Sequence, residues 1–289
     1  MIGTRGTAAA LPPARPADPL LPLGTTPPLL TWSCFDPSRV RVALTTRSGG
    51  VSTGRYASLN LGLHVGDSPG AVLENRTRVA GALRASLDEL VFCQQVHRRA
   101  VTVVGAEHRG RGARSDADAI PETDALVTTD PGIALVVMVA DCVPIVLHEP
   151  VAGVLAVVHA GWGGTVRGVT PAAVQTMLEH GSDPARIVAG IGPAIDGAIY
   201  QVGDDVADLA RAAFDDAVGE VLRPDGSGRY LFDLVAGARI QLQGTGLSPT
   251  NIHASGLVTG PGTPFFSHRL EGPCGRFAVL ARLLAGGVT

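Results

Sequence analysis

The stretch that decides the fold is residues 132–165, which read GIALVVMVADCVPIVLHEPVAGVLAVVHAGWGGT. It contains two apolar runs: one from Gly132 to Ala140, followed closely by Cys142, and one from Gly153 to Val158, followed by His159. Such runs, rich in β-branched residues, predict buried strands, and the segment 149–153 between them predicts a turn. In an antiparallel hairpin Cys142 would face His159 to within a residue or two. The pattern therefore predicts that a thiolate and an imidazole converge.

A third donor follows another apolar run, which leads from Val91 to His97. Two imidazoles and a thiolate suit zinc, and three protein ligands leave the fourth tetrahedral position open. His97, Cys142 and His159 are therefore the predicted metal ligands. The residues alone leave an alternative open, because a buried Cys is commonly inert packing and a His at a strand end often bonds to a backbone carbonyl.

The glycine-rich segment after His159 predicts a turn into a helix. Glycines let the backbone approach a ligand closely, and free N–H groups at a helix start attract anions. Gly163, Gly164 and Thr165 are therefore predicted to bind phosphate, with help from the guanidinium of Arg47. The alternative is a tight strand-to-helix turn that needs glycine only for steric reasons.

Other polar side chains are candidates for substrate binding or catalysis. Arg269 suits an anion, whereas Asn60 and His64 suit ribose hydroxyls or ring nitrogens; each also fits a role in ordering a loop. Asp141 precedes Cys142, and it should support the site from behind because successive strand residues point to opposite faces. Asp124 is the second acidic candidate.

A series of motifs spread along the chain, over roughly residues 33 to 285, supports a family assignment. They are Arg47–Ser52, Ser58–Gly62, His64–Asp67, Glu74–Arg76, Gln95–His97, Ala140–Pro144, His159–Trp162, Ile191–Ile195, Phe265–Arg269 and Gly275–Arg276. Together they resemble the YfiH-type family, also called the laccase-domain or multicopper polyphenol oxidase family. The resemblance implies a layered α/β/β/α sandwich with zinc on His97, Cys142 and His159.

The same resemblance implies an activity. It points to a zinc-dependent purine nucleoside phosphorylase acting on adenosine, inosine or methylthioadenosine with phosphate, and to adenosine deaminase as a side activity. It favours Arg47, Asn60 and His64 as substrate-binding residues. The chain departs from the family pattern at Gly163, where the family usually has Arg, and this removes a cation beside the predicted site.

Composition and charge exclude several classes of function. The chain has 289 residues and a net charge of −3, which gives no electrostatic reason to expect nucleic acid or an anionic membrane as a partner. All 23 basic residues are Arg, so a Schiff-base lysine and a Walker lysine are excluded. The four Cys form no C-x-x-C pair, as expected in a reducing compartment. No apolar run reaches the roughly 20 residues of a membrane helix, and we expect a cytoplasmic protein.

The predicted organisation is a disordered arm rich in Pro and Ala over residues 1–31, followed by a single catalytic domain over residues 32–289. Mixed strands and helices predict an α/β or α+β sandwich. Besides the central hairpin, strands are predicted at 40–46, 90–96, 101–104, 125–128 and 186–191 and around Ile252, Phe265 and Phe277. Helices are predicted at 68–83, 165–179, 204–214 and 233–243, and residues 106–123 are predicted to be an exposed loop.

Function remains open between classes at this stage. Besides a zinc enzyme, a metal-free hydrolase with Cys142 activated by His159 fits the residues. A copper-dependent polyphenol oxidase fits less well, because the eight His include no His-X-His pair. A non-catalytic binding protein is a further alternative. The preferred nucleoside, the choice of phosphate or water as acceptor, and the oligomeric state are not determined by the sequence.

Overall fold

The computed structural model describes residues 20–285 and consists of two large β-sheets packed face to face, with helices on both outer sides. The strands are β1 (Leu20–Pro22), β2 (Leu29–Trp32), β3 (Val40–Thr45), β4 (Leu90–Phe92), β5 (Val101–Val103), β6 (Ala125–Thr128), β7 (Ala134–Val139), β8 (Val143–Glu149), β9 (Val154–Ala160), β10 (Val188–Ile191), β11 (Gln201–Gly203), β12 (Leu222–Pro224), β13 (Arg229–Phe232), β14 (Ile252–Ala254) and β15 (Phe277–Leu283). The helices are α1 (Pro69–Ala82), α2 (Trp162–Val166), α3 (Val169–Glu179), α4 (Asp204–Phe214), α5 (Val218–Val221), α6 (Leu234–Gly244) and α7 (His268–Glu271).

Each large sheet has six strands. The first sheet has the order β1-β2-β3-β15-β7-β4, and the second has the order β14-β10-β8-β9-β6-β5. A small sheet of β11, β13 and β12 is separate from both. Most neighbours are antiparallel, and β4–β7, β5–β6 and β10–β14 are parallel. This mixture confirms the predicted fold class.

Side-chain alternation along the central strands builds the layers. In β7, Leu135 and Val137 point into the core between the sheets, whereas Val136 and Met138 point into the core beneath α1. In β9, Val157 lies in the core between the sheets, and its neighbours pack with residues of α3 and α6. Successive strand residues face opposite sides, so each sheet is covered on both faces. The result is the expected α/β/β/α sandwich.

The structure corrects the predicted central hairpin. The run that ends at Ala140 does not pair with β9; it forms β7, in the first sheet, between β15 and β4. The partner of β9 is β8, in a register that places Pro144 opposite His159. All residues of β7 and β8 are buried, and a strand buried on both faces carries no alternation that would assign it to one sheet or the other.

Other boundaries also differ. The predicted helix 165–179 is two helices, because Gly168 adopts a left-handed conformation (φ +78°) between α2 and α3. The strand predicted to reach Val96 ends at Phe92, since the chain then turns toward Asp124. The strand expected around Phe265 is wrong: this residue lies buried in a loop.

Residues 20–31 are not part of a disordered arm, because most of them form β1, β2 and the turn between them at the edge of the first sheet. The remainder of the predicted arm, residues 1–19, lies outside the described residues. The predicted strands at 40–46 and 125–128 and the helices at 68–83, 204–214 and 233–243 are confirmed to within a residue or so. Within residues 20–285, no helix has both the length and the apolarity needed to cross a membrane.

Candidate metal centre and its cavity

The three predicted metal ligands lie where the chain passes between the two sheets. His97 follows β4 of the first sheet and precedes β5 of the second, and Cys142 lies in the short crossover from β7 to β8. His159 is near the end of β9. Their donor atoms all lie within 4.8 Å of one another, and no other such group of His, Cys, Asp or Glu occurs among residues 20–285. The predicted convergence of the three side chains is therefore observed.

The donors surround a small space that is open on one side. The Cys142 sulfur lies 4.0 Å from Nδ1 of His97, and the two imidazole rings are 4.7 Å apart between centroids, at 74° to each other. His159 is buried, Cys142 is half-buried and His97 is exposed. An arrangement of two nitrogens and one sulfur with an open side is the kind of ligand set found at zinc sites that retain a free coordination position.

The carboxylate of Asp124 orients two of the ligands. Its Oδ1 accepts a hydrogen bond from Nδ1 of His159 at 2.8 Å, which leaves Nε2 of that ring for a metal. The same carboxylate accepts the backbone N–H groups of Val96, His97 and Arg98 at 3.3, 2.9 and 2.8 Å. Three successive N–H groups converge on one anion because His97 adopts a positive φ of 57°. Asp124 therefore determines both the ring orientation of His159 and the backbone turn that presents His97.

Gly161 leaves room for the metal-binding side chains. A Cβ atom at this position would lie 2.6 Å from Nδ1 of His97 and 2.8 Å from the Cys142 sulfur. Real Cβ contacts are not this short, so any other residue would displace the donors. The donor set and the space that glycine leaves beside it both fit a bound metal ion.

Gly161→Ala should lower metal affinity by about tenfold or more, because the new methyl group pushes apart two donors that must converge. Zinc affinity measured by competition with a chromophoric chelator tests this. Gly81→Ala is the matched control, because a Cβ there, in the last turn of α1, meets no atom within 4 Å. Equal zinc affinity in the Gly161 variant and the wild type would contradict the fit.

The electrostatic environment favours the metal-binding form of Cys142. Burial alone would raise the pKa of its thiol, but the charges and hydrogen bonds of His159 and His97 lower it to about 6. Burial would likewise lower the pKa of His159, whereas Cys142 and Asp124 raise it to about 9. By contrast, burial and the nearby Asp124 raise the pKa of the Cys93 thiol well above its usual range. Cys142 is thus ionised at neutral pH, and thiolate is the form that binds metals.

A cavity of about 590 Å³ opens in front of the ligands. Its volume lies in the range of small-molecule sites, roughly 300–1,000 Å³. Residues from the central strands, from the loops before β6, and from segments near positions 64, 200 and 268–276 line it. They are His64, Cys93, Gln94, Gln95, His97, Asp116, Ala119, Met138, Val139, Ala140, Asp141, Cys142, His159, Trp162, Tyr200, His268, Arg269 and Arg276.

Two of the predicted substrate residues lie in this cavity. Arg269 packs with its guanidinium 4.6 Å from the ring centroid of Tyr200 and donates to Gln201 O at 2.8 Å. His64 stands on another wall with Arg276 and Asp116. Burial and the positive charge of Arg276 lower the pKa of His64, which favours its neutral imidazole form.

The structure does not bring the other predicted substrate residues to the cavity wall. Arg47 forms a 2.8 Å ion pair with Glu271 and lies over the ring of Phe266. Asn60 is fully buried and uses its amide within the fold: it accepts hydrogen bonds from the N–H groups of Gly62 and Arg276 and donates to Gly62 O. Asn60 thus links the loop that carries His64 to the strand end that carries Arg276.

The predicted phosphate-binding glycines pack against the back of the metal centre. A Cβ at Gly163 would lie 2.8 Å from the carbonyl oxygen of His97, and one at Gly164 would lie 3.1 Å from that of Arg98. Thr165 is buried within α2, which has only five residues. Glycine at these positions therefore allows α2 to touch the His97 loop, and the departure from the family pattern at Gly163 lies behind the cavity.

The side chain of Asp141 bonds to the 259–269 segment and not to the metal ligands, but the alternation of strand residues is not the reason, because Asp141 lies in the crossover between β7 and β8. It accepts three hydrogen bonds of 2.6 Å, from the hydroxyls of Thr259 and Ser267 and from the backbone N–H of Arg269. Its own backbone has a positive φ of 93°. Asp141 thus connects the crossover that carries Cys142 to the cavity wall that carries Arg269.

Several cavity residues were not predicted as site residues. Asp116 and Ala119 belong to the 106–123 segment, which was predicted to be an exposed loop. This segment is held in place by Arg76, whose buried guanidinium donates to the carbonyls of Gly112 and Ala113 and lies 4.0 Å from the ring centroid of Phe92. The contact of Arg76 with Gly112 and Ala113 joins residues far apart in the sequence, so no local sequence pattern predicts it.

Comparison with known proteins agrees with this architecture. A family model described as "Multi-copper polyphenol oxidoreductase laccase" matches residues 41–284. The chain is 40% identical to a protein of Corynebacterium glutamicum named purine nucleoside phosphorylase, over 239 residues that make up 83% of this chain and 92% of that one. It is 42% identical to a Streptomyces coelicolor protein of the same name, over 234 residues covering 81% and 91% of the two chains.

Among solved structures, the crystal structure of YlmD from Geobacillus stearothermophilus superposes with a TM-score of 0.86 at 35% identity, covering 93% of this chain and all of that one. A Bacillus licheniformis protein described as YfiH superposes with a TM-score of 0.85 at 34% identity, covering 88% and 96%. The match therefore extends over nearly the whole described structure, the cavity walls included. With its sandwich fold and its His-Cys-His centre, the chain belongs to the laccase-like YfiH family.

Proposed function

We propose that this protein is a metal-dependent purine nucleoside phosphorylase that uses zinc and releases a free base and ribose 1-phosphate. The observation that carries the proposal is the His97, Cys142 and His159 centre at the floor of a cavity large enough for a nucleoside. The names of the relatives at about 40% identity support the substrate class. Adenosine deamination, in which water replaces phosphate, belongs to the proposal as a side activity.

The metal would be held by Cys142 and by the two imidazoles, with Asp124 behind His159. When bound, zinc supplies a Lewis acid with an open coordination position. The chain's own contribution is to bind and orient the reactants. Tyr200, Met138 and Trp162 give the cavity apolar walls that exclude water, and the side-chain amide of Gln95 fixes the wall by bonding to both backbone groups of Met138.

The charged side chains on the cavity walls indicate which wall faces the nucleoside and which faces the phosphate. Arg276 shares its wall with the carboxylate of Asp116 and with neutral His64, and a carboxylate repels phosphate. This wall is suited to the nucleoside, whose N–H and O–H groups can donate to Asp116 and His64. Arg269 lies on the wall that is joined to the crossover carrying Cys142, because its backbone N–H bonds to the neighbouring Asp141. We therefore place the phosphate beside Arg269.

Arg269→Gln should raise the apparent KM for phosphate about tenfold or more, because it removes a charge-assisted contact worth roughly 1.5–3 kcal/mol. Steady-state phosphorolysis at varied phosphate concentration measures the change. Arg47→Gln is the comparison, and we expect it to change this KM by less than about threefold because Arg47 pairs with Glu271 outside the cavity. A larger effect at Arg47 than at Arg269 would contradict this placement and favour the phosphate site predicted from the sequence, which includes Arg47.

Metal analysis combined with product identification tests the function itself. Protein purified without added metal should contain about one zinc per chain, and adenosine should give adenine and ribose 1-phosphate only when phosphate is present. Inosine formed without phosphate would indicate the deaminase reaction. Activity that survives removal of all metal would favour the Cys-His hydrolase, in which His159 activates Cys142.

Copper is the metal to exclude in the same experiment. The family model carries a copper oxidase description, and two His with one Cys also occur as ligands of mononuclear copper. Stoichiometric copper with an intense thiolate-to-copper absorption band, together with oxidation of phenols, would contradict the zinc assignment.

A further inference from the structure

We infer that Asp141 is a positioning residue for phosphate: it holds Arg269 at the cavity wall and does not serve the metal. This inference rests on the proposed function, because it concerns the phosphate site of that reaction. Its starting point is the location of Asp141, one residue before Cys142 and in the crossover from β7 to β8.

The carboxylate of Asp141 is fully engaged, and all its partners belong to one segment. Oδ1 accepts from the hydroxyls of Thr259 and Ser267, and Oδ2 accepts from the backbone N–H of Arg269, each at 2.6 Å. The side chain is 7% exposed, whereas Thr259 and Ser267 are 3% and 0% exposed. Short hydrogen bonds to an ionised acceptor in a buried setting are stronger than neutral ones. This one carboxylate therefore accepts three side-chain and backbone hydrogen bonds that join the 259–269 segment to the crossover.

The attachment determines where the Arg269 guanidinium lies. The same residue that gives its N–H to Asp141 places its side chain over Tyr200 and donates to Gln201 O. Ser267 Oγ also accepts the N–H of Leu270 and thereby caps the N-terminus of α7. The backbone at Arg269 is thus fixed from the crossover side and its side chain from the Tyr200 side, so loss of the carboxylate should shift the cation without removing it.

A double-mutant cycle with metal-loaded enzyme tests this inference. Asp141→Asn and Arg269→Gln should each raise the apparent KM for phosphate by about tenfold or more. The KM of the double variant should be no higher than that of the more impaired single variant, because both changes remove the same interaction. All three proteins should keep one metal per chain. Effects that multiply in the double variant, or loss of metal in Asp141→Asn, would overturn the inference.

Two further measurements keep the test decisive. If Asp141→Asn does not fold, Thr259→Val and Ser267→Ala each remove one donor to the same carboxylate and should raise the KM for phosphate by about two- to tenfold with metal retained. Amide hydrogen exchange of the 259–271 segment should be faster in each of these variants than in wild type, and unchanged exchange would also overturn the inference. A wild-type enzyme that does not phosphorolyse nucleosides would refute the proposed function alone, since metal content and exchange report on Asp141 independently of activity.

Discussion

Cys142→Ala is expected to lose its metal and its phosphorolytic activity while keeping its fold. Structural zinc binding to protein sites is worth about 10–16 kcal/mol, and the thiolate is one of only three protein ligands here, so its removal should weaken metal binding on the order of a thousandfold. The substitution leaves the sandwich core intact, since Cys142 lies at its edge and is half-buried. Elemental analysis of the purified variant, with circular dichroism as the check on folding, measures both parts.

Cys93→Ala is the matched control for this variant. Cys93 also lines the cavity and is buried, but burial raises the pKa of its thiol, so it is protonated at neutral pH and packs as an apolar side chain. This variant should keep a full complement of metal. Full metal occupancy in Cys142→Ala, or equal metal loss in the two variants, would refute the assigned ligands.

The pKa values of the two coupled ligands give the same prediction a pH dependence. In the metal-free protein, Cys142 titrates near 6 and His159 near 9. Zinc must therefore displace a proton from His159 between about pH 6 and 9, and a further proton from Cys142 below about pH 6. Metal affinity should fall as pH falls, about tenfold per unit in the first window and more steeply in the second. Calorimetric titrations in buffers of different ionisation enthalpy count the protons, and a pH-independent affinity would contradict the assignment.

Asp124→Ala should reduce metal affinity about 10- to 100-fold and also destabilise the protein. The first effect follows because a carboxylate behind a ligating His orients the ring and raises its basicity. The second follows because three backbone N–H groups lose their acceptor and His159 loses its buried partner. Breaking a buried pair by removing one partner costs about 3–5 kcal/mol. Chemical denaturation and chelator competition measure the two effects separately.

Glu149→Ala separates these two effects of Asp124. Glu149 is also a buried carboxylate; it accepts the N–H groups of Val151 and Ala152 and pairs with Arg186, but it lies at the opposite end of the β8–β9 hairpin. We expect Glu149→Ala to lower the free energy of unfolding and leave zinc affinity unchanged. A parallel loss of zinc affinity in both variants would mean that Asp124 acts only through stability.

The metal centre could be predicted from the sequence because its signal is local. Each ligand follows or ends an apolar run, and a strand that ends in a polar residue places that residue at the edge of a sheet. The hairpin that justified the convergence was nevertheless assigned to the wrong strand, since β7 and β8 are both buried on two faces and are separated only by residues 140–142. The prediction of Cys142 and His159 survived this error because the crossover brings the same two residues together.

The cavity walls were harder to predict because their residues are positioned by partners far away in the chain. Asp116 is placed by a loop that Arg76 holds in position, and the backbone of Arg276 is held by buried Asn60. Arg47 shows the opposite case: its guanidinium, in a family motif, was predicted to bind phosphate, and in the structure its charge is paired with Glu271. Residue type predicts what a side chain can bind, and only tertiary structure shows whether the side chain is already engaged.

The β8–β9 hairpin is anchored at both of its ends, and only one of these ends lies at the cavity. One end carries Cys142 and His159 at the metal centre, and the other is closed by the ion pair of Glu149 with Arg186. The floor of the cavity is therefore formed from a strand pair that is held at both ends. The opposite walls, which carry His64 and Arg269, are built from loops and short helical turns. The metal ligands His159 and Cys142 thus belong to or adjoin a strand pair held at both ends, whereas the groups that face the substrate lie in connecting segments held by side-chain hydrogen bonds such as those of Asp141 and Asn60.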